Sequence, residues 1–117
     1  MAKQFGTNLL NESFSDDIVQ KVWEKGTIVP GYDPDKYRKD KCGAWMQRNL
    51  HSGNHGTPLS LEWEIDHRNP EDNGGTDDID NLQPLQWENN RHKGTNYPNW
   101  NCKVTAHSTQ TLTNKYT

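Results

Sequence analysis

Trp63-Glu64-Ile65-Asp66-His67, then Gly74-Gly75, then Asn81-Leu82-Gln83-Pro84-Leu85, then Glu88-Asn89-Asn90-Arg91-His92-Lys93 is the stretch on which the fold turns. Leu61, Trp63 and Ile65 alternate with Glu62, Glu64 and Asp66, the two-residue period of a strand, so 61–67 is expected to be one. Residues 68–80, rich in Pro, Gly, Asn and Asp, form a loop, and 81–85 is a short extended segment that Pro84 confines to an edge or an end. Residues 86–93 read as a short helix ended by Gly94. Upstream, 42–48 reads as a further strand around Trp45. Ser15 caps a helix whose apolar face is Ile18, Val19, Val22 and Trp23, with Asp16 and Asp17 at its positive end and Gly26 as its stop. Pro30-Gly31 and Asp33-Pro34-Asp35 are turns.

The chemistry follows from residue types. An acid and an imidazole, Asp66 and His67, stand together where a strand runs out into a glycine-rich loop, and a helix with two carboxamides and several basic residues comes after. Oxygens of Asp and Asn are hard ligands suited to Mg²⁺, which keeps several waters and takes one or two protein groups plus substrate phosphate. A neutral imidazole beside them can accept a proton from water near neutral pH. These are the parts of metal-assisted phosphodiester hydrolysis. One condition attaches: neighbours in an ideal strand face opposite ways, so this reading expects the strand to end or bulge at Asp66-His67.

An Asp-His, a glycine-rich loop, Asn-Leu-Gln-Pro-Leu and a terminal Asn-Arg helix, in that order, resemble the HNH endonucleases. The likeness is closest to small bacterial and phage members with a Cys-Gly-Ala-Trp segment ahead of the Glu-Ile-Asp-His motif. It runs from about residue 14 to about residue 105 and takes in Trp-Glu-Lys-Gly, Pro-Gly-Tyr-Asp, Cys-Gly-Ala-Trp and Trp-Glu-Asn-Asn-Arg-His-Lys-Gly. The resemblance implies an α+β fold: a ββα-metal (HNH/His-Me finger) core with an additional N-terminal helix. It implies an endonuclease with Asp66 and Asn90 as metal ligands, His67 as general base, and Asn81 as the residue that ties loop to helix and steadies the imidazole. Mg²⁺, Mn²⁺ or another divalent cation is the implied cofactor, double-stranded DNA the implied partner, and 5′-phosphate and 3′-hydroxyl ends the implied products. The paired cysteines of zinc-ribbon members are absent, so no structural zinc is expected.

Each position has a plainer reading. His67 could be an exposed strand-end residue, Asp66 a turn cap and Asn81 an ordinary turn residue, and Asn89 competes with Asn90 because neighbouring helix positions point about 100° apart. His92, two positions from Asn90, lacks the three- or four-residue spacing of a shared face, so it is assigned to phosphate or solvent rather than to metal. Arg91, Lys93 and Arg48 are candidate phosphate contacts, with a solvated surface as the alternative. His51, His55 and His107 are left out of the site. Trp45, Trp63 and Trp87 are read as core.

Composition sets outer limits. The chain has 117 residues, one domain's worth, and only 29% are hydrophobic, so five tryptophans must supply much of the core. A net charge of -3 does not advertise a nucleic-acid partner. Local charge differs: Glu71, Asp72, Asp77, Asp78 and Asp80 form an acidic run, while Lys36, Arg38, Lys39, Lys41 and Arg48 cluster, as do Arg91, His92 and Lys93. No apolar run would span a membrane and no signal-peptide pattern opens the chain, which points to a cytoplasmic protein. Cys42 and Cys102 belong to no Cys-x-x-Cys pair and are read as two buried thiols, with their proximity to each other left open. Residues 1–13 are expected to be a loose lead-in, 14–105 the nuclease domain and 106–117 a polar, flexible tail; no heptad or other dimerisation element is visible, so a monomer is expected. The rival reading is a catalytically inactive nucleic-acid-binding module of the same fold.

Overall fold

The structure, a computed structural model, describes residues 5–10, 12–52, 56–108 and 110–117. His55, set aside above, and parts of the expected lead-in and tail lie outside them. Helix α1 (Asp16–Trp23) begins where the Ser15 hydroxyl accepts the Ile18 N–H at 3.4 Å, and it buries Val19, Val22 and Trp23. Strands β1 (Tyr37–Lys39) and β2 (Trp45–Gln47) form an antiparallel pair. Strands β3 (Trp63–His67) and β4 (Leu82–Gln86) form a second, in register from Trp63 opposite Gln86 to His67 opposite Leu82. Helix α2 (Trp87–Lys93) follows β4 directly. Strands β5 (Val104–Ala106) and β6 (Asn114–Tyr116) close the chain as a third pair. The result is mixed: two α-helices and three short antiparallel pairs among the described residues.

The core is a sandwich of α1 on one face of the β3–β4 pair. Val19, Val22, Trp23, Met46, Trp63, Ile65 and Leu82 form one buried cluster, and the Trp23 and Trp63 rings meet at 5.3 Å. Because α2 covers the opposite face, all five residues of β3 are buried, including Glu64 and Asp66, which alternation alone would have sent to solvent. Trp87 is half-buried rather than core: its indole N–H reaches Thr57 O and Ser60 Oγ.

Three expectations change. Strand β2 starts at Trp45 instead of residue 42, because the buried Asp40 carboxylate accepts the Cys42 and Ala44 N–H groups and curls 40–44 into a turn. Cys42 and Cys102 are not free thiols: they form a disulfide linking that turn to the segment before β5. The end of the chain is not a loose tail, since β6 pairs with β5 and the buried Asn114 amide both accepts from Trp45 N and donates to Trp45 O. A run of Thr, Ser and Asn hides this hairpin, because its anchoring contact is polar. Among the described residues no helix is long and apolar enough to cross a membrane.

Candidate active site

The site is built on β3 and the two structures flanking it. Successive side chains of β3 point to opposite faces. Glu64 and Asp66 face α2, while Trp63 and Ile65 join the core beneath α1. The ladder runs in register to His67, where β3 ends, so the chain leaves the strand at Asp66-His67 without a bulge. The two side chains accordingly meet different neighbours.

His67, 9% exposed, turns toward the loop and α1. Its Nε2 lies 2.7 Å from Asp77 Oδ1, and its ring lies 6.1 Å from that of Phe14. A carboxylate at that distance accepts a hydrogen bond, which places the ring proton on Nε2 and leaves the lone pair on Nδ1. Asp77 also accepts the Leu9 N–H, at 3.1 and 3.2 Å from its two oxygens. Nothing in the acidic run of the sequence separates Asp77 from its neighbours. The signal available was its position just past Gly74-Gly75, where the loop folds back on the strand.

The loop's shape is held by glycine and by Asn81. A Cβ at Gly75 would fall 1.7 Å from Asn69 O, so only glycine fits, and Gly74 adopts φ +84°. Asn81 Oδ1 accepts Asn69 N, and Asn81 Nδ2 donates to Asn69 O and Thr76 O. Asn81 thus staples both ends of the loop that delivers Asp77. It bonds to the loop, and its contact with His67 runs through that loop.

On the other face, Asn90 and Lys93 lie one helical turn apart, opposite Glu64 and Asp66. Asn90 Nδ2 donates to Glu64 Oε1 at 3.0 Å, whereas Asn90 Oδ1 is buried and has no hydrogen-bond partner among the described residues. Asn89 points elsewhere and is fully used: it donates to Asp40 Oδ2 and Val104 O and accepts Lys103 N and Val104 N. Asp66, 2% exposed, accepts Gln83 Nε2 at 2.9 Å and Lys93 Nζ at 3.3 and 3.2 Å.

The expected phosphate contacts separate. Lys93 does not present a charge to solvent: it is 1% exposed and donates to Asp66 and to His67 O. Arg91 and His92 are exposed, with Arg91 paired to Glu64 at 3.1 Å and stacked against the Phe5 and Trp87 rings. Arg48 lies away from these groups and donates to Gln20 Oε1.

A hard divalent cation suits this face. Asp66 offers a buried carboxylate and Asn90 an oxygen with nothing to accept, and Mg²⁺ takes few protein groups beside its waters. Among the described residues no three His, Cys, Asp or Glu side chains gather as a closed metal cage would require. A family model described as HNH endonuclease matches residues 47–96. No curated protein and no solved structure matches the chain.

Proposed function

From the match of residues 47–96 to a family model described as HNH endonuclease, we propose that the chain is a metal-dependent endonuclease acting on double-stranded DNA through a ββα-metal core of β3, β4 and α2. The observation that carries the reading is the 2.7 Å contact of His67 Nε2 with Asp77, which leaves a basic Nδ1 at the end of the strand bearing Asp66. His67 Nδ1 takes the proton of a water that attacks phosphorus in line. Asp77 keeps the ring in that tautomer and orientation, and Asn81 keeps Asp77's loop in place. Asp66 and Asn90 Oδ1 would hold Mg²⁺, Mn²⁺ or a similar ion, which when bound neutralises charge on the phosphate and the leaving oxygen. Arg91 and His92 are exposed for phosphate contact. The products carry 5′-phosphate and 3′-hydroxyl ends.

One base serves one phosphodiester at a time, so a monomer nicks. The Cys42–Cys102 bridge fits an oxidising compartment better than the cytoplasm expected from sequence. The test is supercoiled plasmid with and without Mg²⁺. Open circles should form first, only with metal, and not with His67→Ala, which should still bind duplex. Wild-type turnover by His67→Ala removes the base assignment, and linear product without an open-circle stage removes the monomer. A wild-type chain that binds but never cuts with any divalent ion is the inactive binding module instead.

A further inference from the structure

Lys93 is out of place as a surface cation and expensive as a buried one. Its ammonium is 1% exposed and sits 3.3 and 3.2 Å from the two oxygens of Asp66 and 3.0 Å from His67 O. Burying such a pair costs both partners their hydration, and apolar side chains of the same volume usually stabilise a fold as well. A role in the site explains the pair better than stability does. One turn earlier on the same helix face, Asn90 Oδ1 is buried without a partner among the described residues. One face therefore carries a carboxylate paired with an ammonium and, one turn along, a buried oxygen that accepts from no described residue.

These two facts conflict if Asp66 is to hold a divalent ion while Lys93 stays where it is. Two cations sharing one carboxylate in a poorly solvated place repel strongly. We infer that Lys93 is a resident counter-ion, paired with Asp66 in the metal-free protein and displaced from it when a divalent cation binds to Asp66 and Asn90. The inference rests on the nuclease reading for the identity of those ligands. It makes metal loading an exchange, so intrinsic affinity is spent on moving the lysine, and the free protein binds its metal weakly.

The experiment is calorimetric titration of the full chain with Mn²⁺ and Mg²⁺, in wild-type and Lys93→Met forms. Methionine keeps most of the length and removes the charge. The variant should bind at least about tenfold more tightly, and adding Asp66→Asn to it should abolish binding while preserving the fold, since the charges leave as a pair. Equal or weaker binding by Lys93→Met overturns the exchange. Should Lys93→Met not fold, the wild-type ammonium itself reports. Buried and slow to exchange, its ¹⁵Nζ signal should shift or vanish on saturation with Mg²⁺, and an unchanged signal at saturation overturns the inference. If metal binds equally to both forms, the ligands stand and only the exchange falls. If no form binds either ion, the metal assignment of the nuclease reading falls, and the exchange with it.

Discussion

With the Asp77 carboxylate on its Nε2, the His67 ring has one tautomer available and one nitrogen left to act as a base. Asp77 is 39% exposed on its side chain, so its removal should disturb the fold little while freeing the ring to rotate and change tautomer. Asp77→Ala is therefore expected to lower kcat roughly tenfold to a hundredfold, the usual scale for a residue that orients an active-site histidine, with KM for duplex DNA little changed. Asp77→Asn, whose amide oxygen can still accept from Nε2, should recover part of the loss. Steady-state kinetics on a short duplex decide it, and wild-type kcat in Asp77→Ala would leave the contact without a catalytic purpose. At this scale the sequence showed which residue types were assembled, but not which side chains they touched. Asp66, His67, Asn81 and Asn90 stand out in the sequence through the resemblance of their motifs to HNH endonucleases. Asp77 could not, because it sits in a run of acids that reads as solvated surface. Lys93 was misread for a related reason: the three-residue spacing that excludes His92 from the Asn90 face admits Lys93 to it, and a lysine on that inner face is buried.

Elements were legible wherever apolar periodicity or capping defined them. Ser15 and the spacing of Val19, Val22 and Trp23 locate α1, and the alternation around Trp63 and Ile65 locates β3. What escaped was structure organised by polar contacts. Asp40 accepts four N–H groups, from Cys42, Ala44, Gln86 and Asn89, and so ties the β1–β2 turn to the start of α2. Burial pushes its carboxyl above the ordinary range, while those same donors pull it back. The Cys42–Cys102 bridge reinforces that turn, and it was invisible because two lone cysteines carry no pairing signal. The bridge spans 60 residues, a loop whose closure in the unfolded chain is worth about 4 kcal/mol on the chain-entropy account. Replacing both cysteines by serine should lower unfolding stability by about that amount in urea melts, as should reducing the wild-type protein. The variant should keep its metal affinity, because Cys42 and Cys102 lie in the turn before β2 and ahead of β5, outside β3 and α2. A loss below about 1 kcal/mol would mean that the bridge only decorates a turn already held by Asp40.

Across the whole molecule, the residues proposed for chemistry are covered. His67 is 9% and Asp66 2% exposed, yet a phosphodiester must reach both. The described part of the N-terminal lead-in, residues 5–10, lies over this region instead of hanging free. The Phe5 ring stacks 5.0 Å from the Arg91 guanidinium carbon, and Leu9 N–H bonds to Asp77. A Cβ at Gly6 would stand 3.5 Å from Glu64 Cβ, so the backbone there runs close against β3. Downstream, Phe14 borders the His67 ring. Among these contacts, the cation–π stack is worth roughly 0.5–1 kcal/mol and the charged hydrogen bond roughly 1.5–3 kcal/mol, before the cost of ordering the segment. Substrate can reach His67 only when this strap lifts, so it binds the open fraction and its apparent affinity falls by that fraction. Combining Phe5→Ala with Leu9→Pro removes the stack and the N–H donor without touching a catalytic group. The pair should raise kcat/KM for duplex DNA by roughly tenfold, mostly through KM, and leave kcat at saturation near wild type. Acylation of His67 by diethyl pyrocarbonate should quicken in step, a readout that needs no turnover. If KM rises instead and His67 acylates no faster, residues 5–10 hold substrate rather than exclude it, and the way into the site lies past α2.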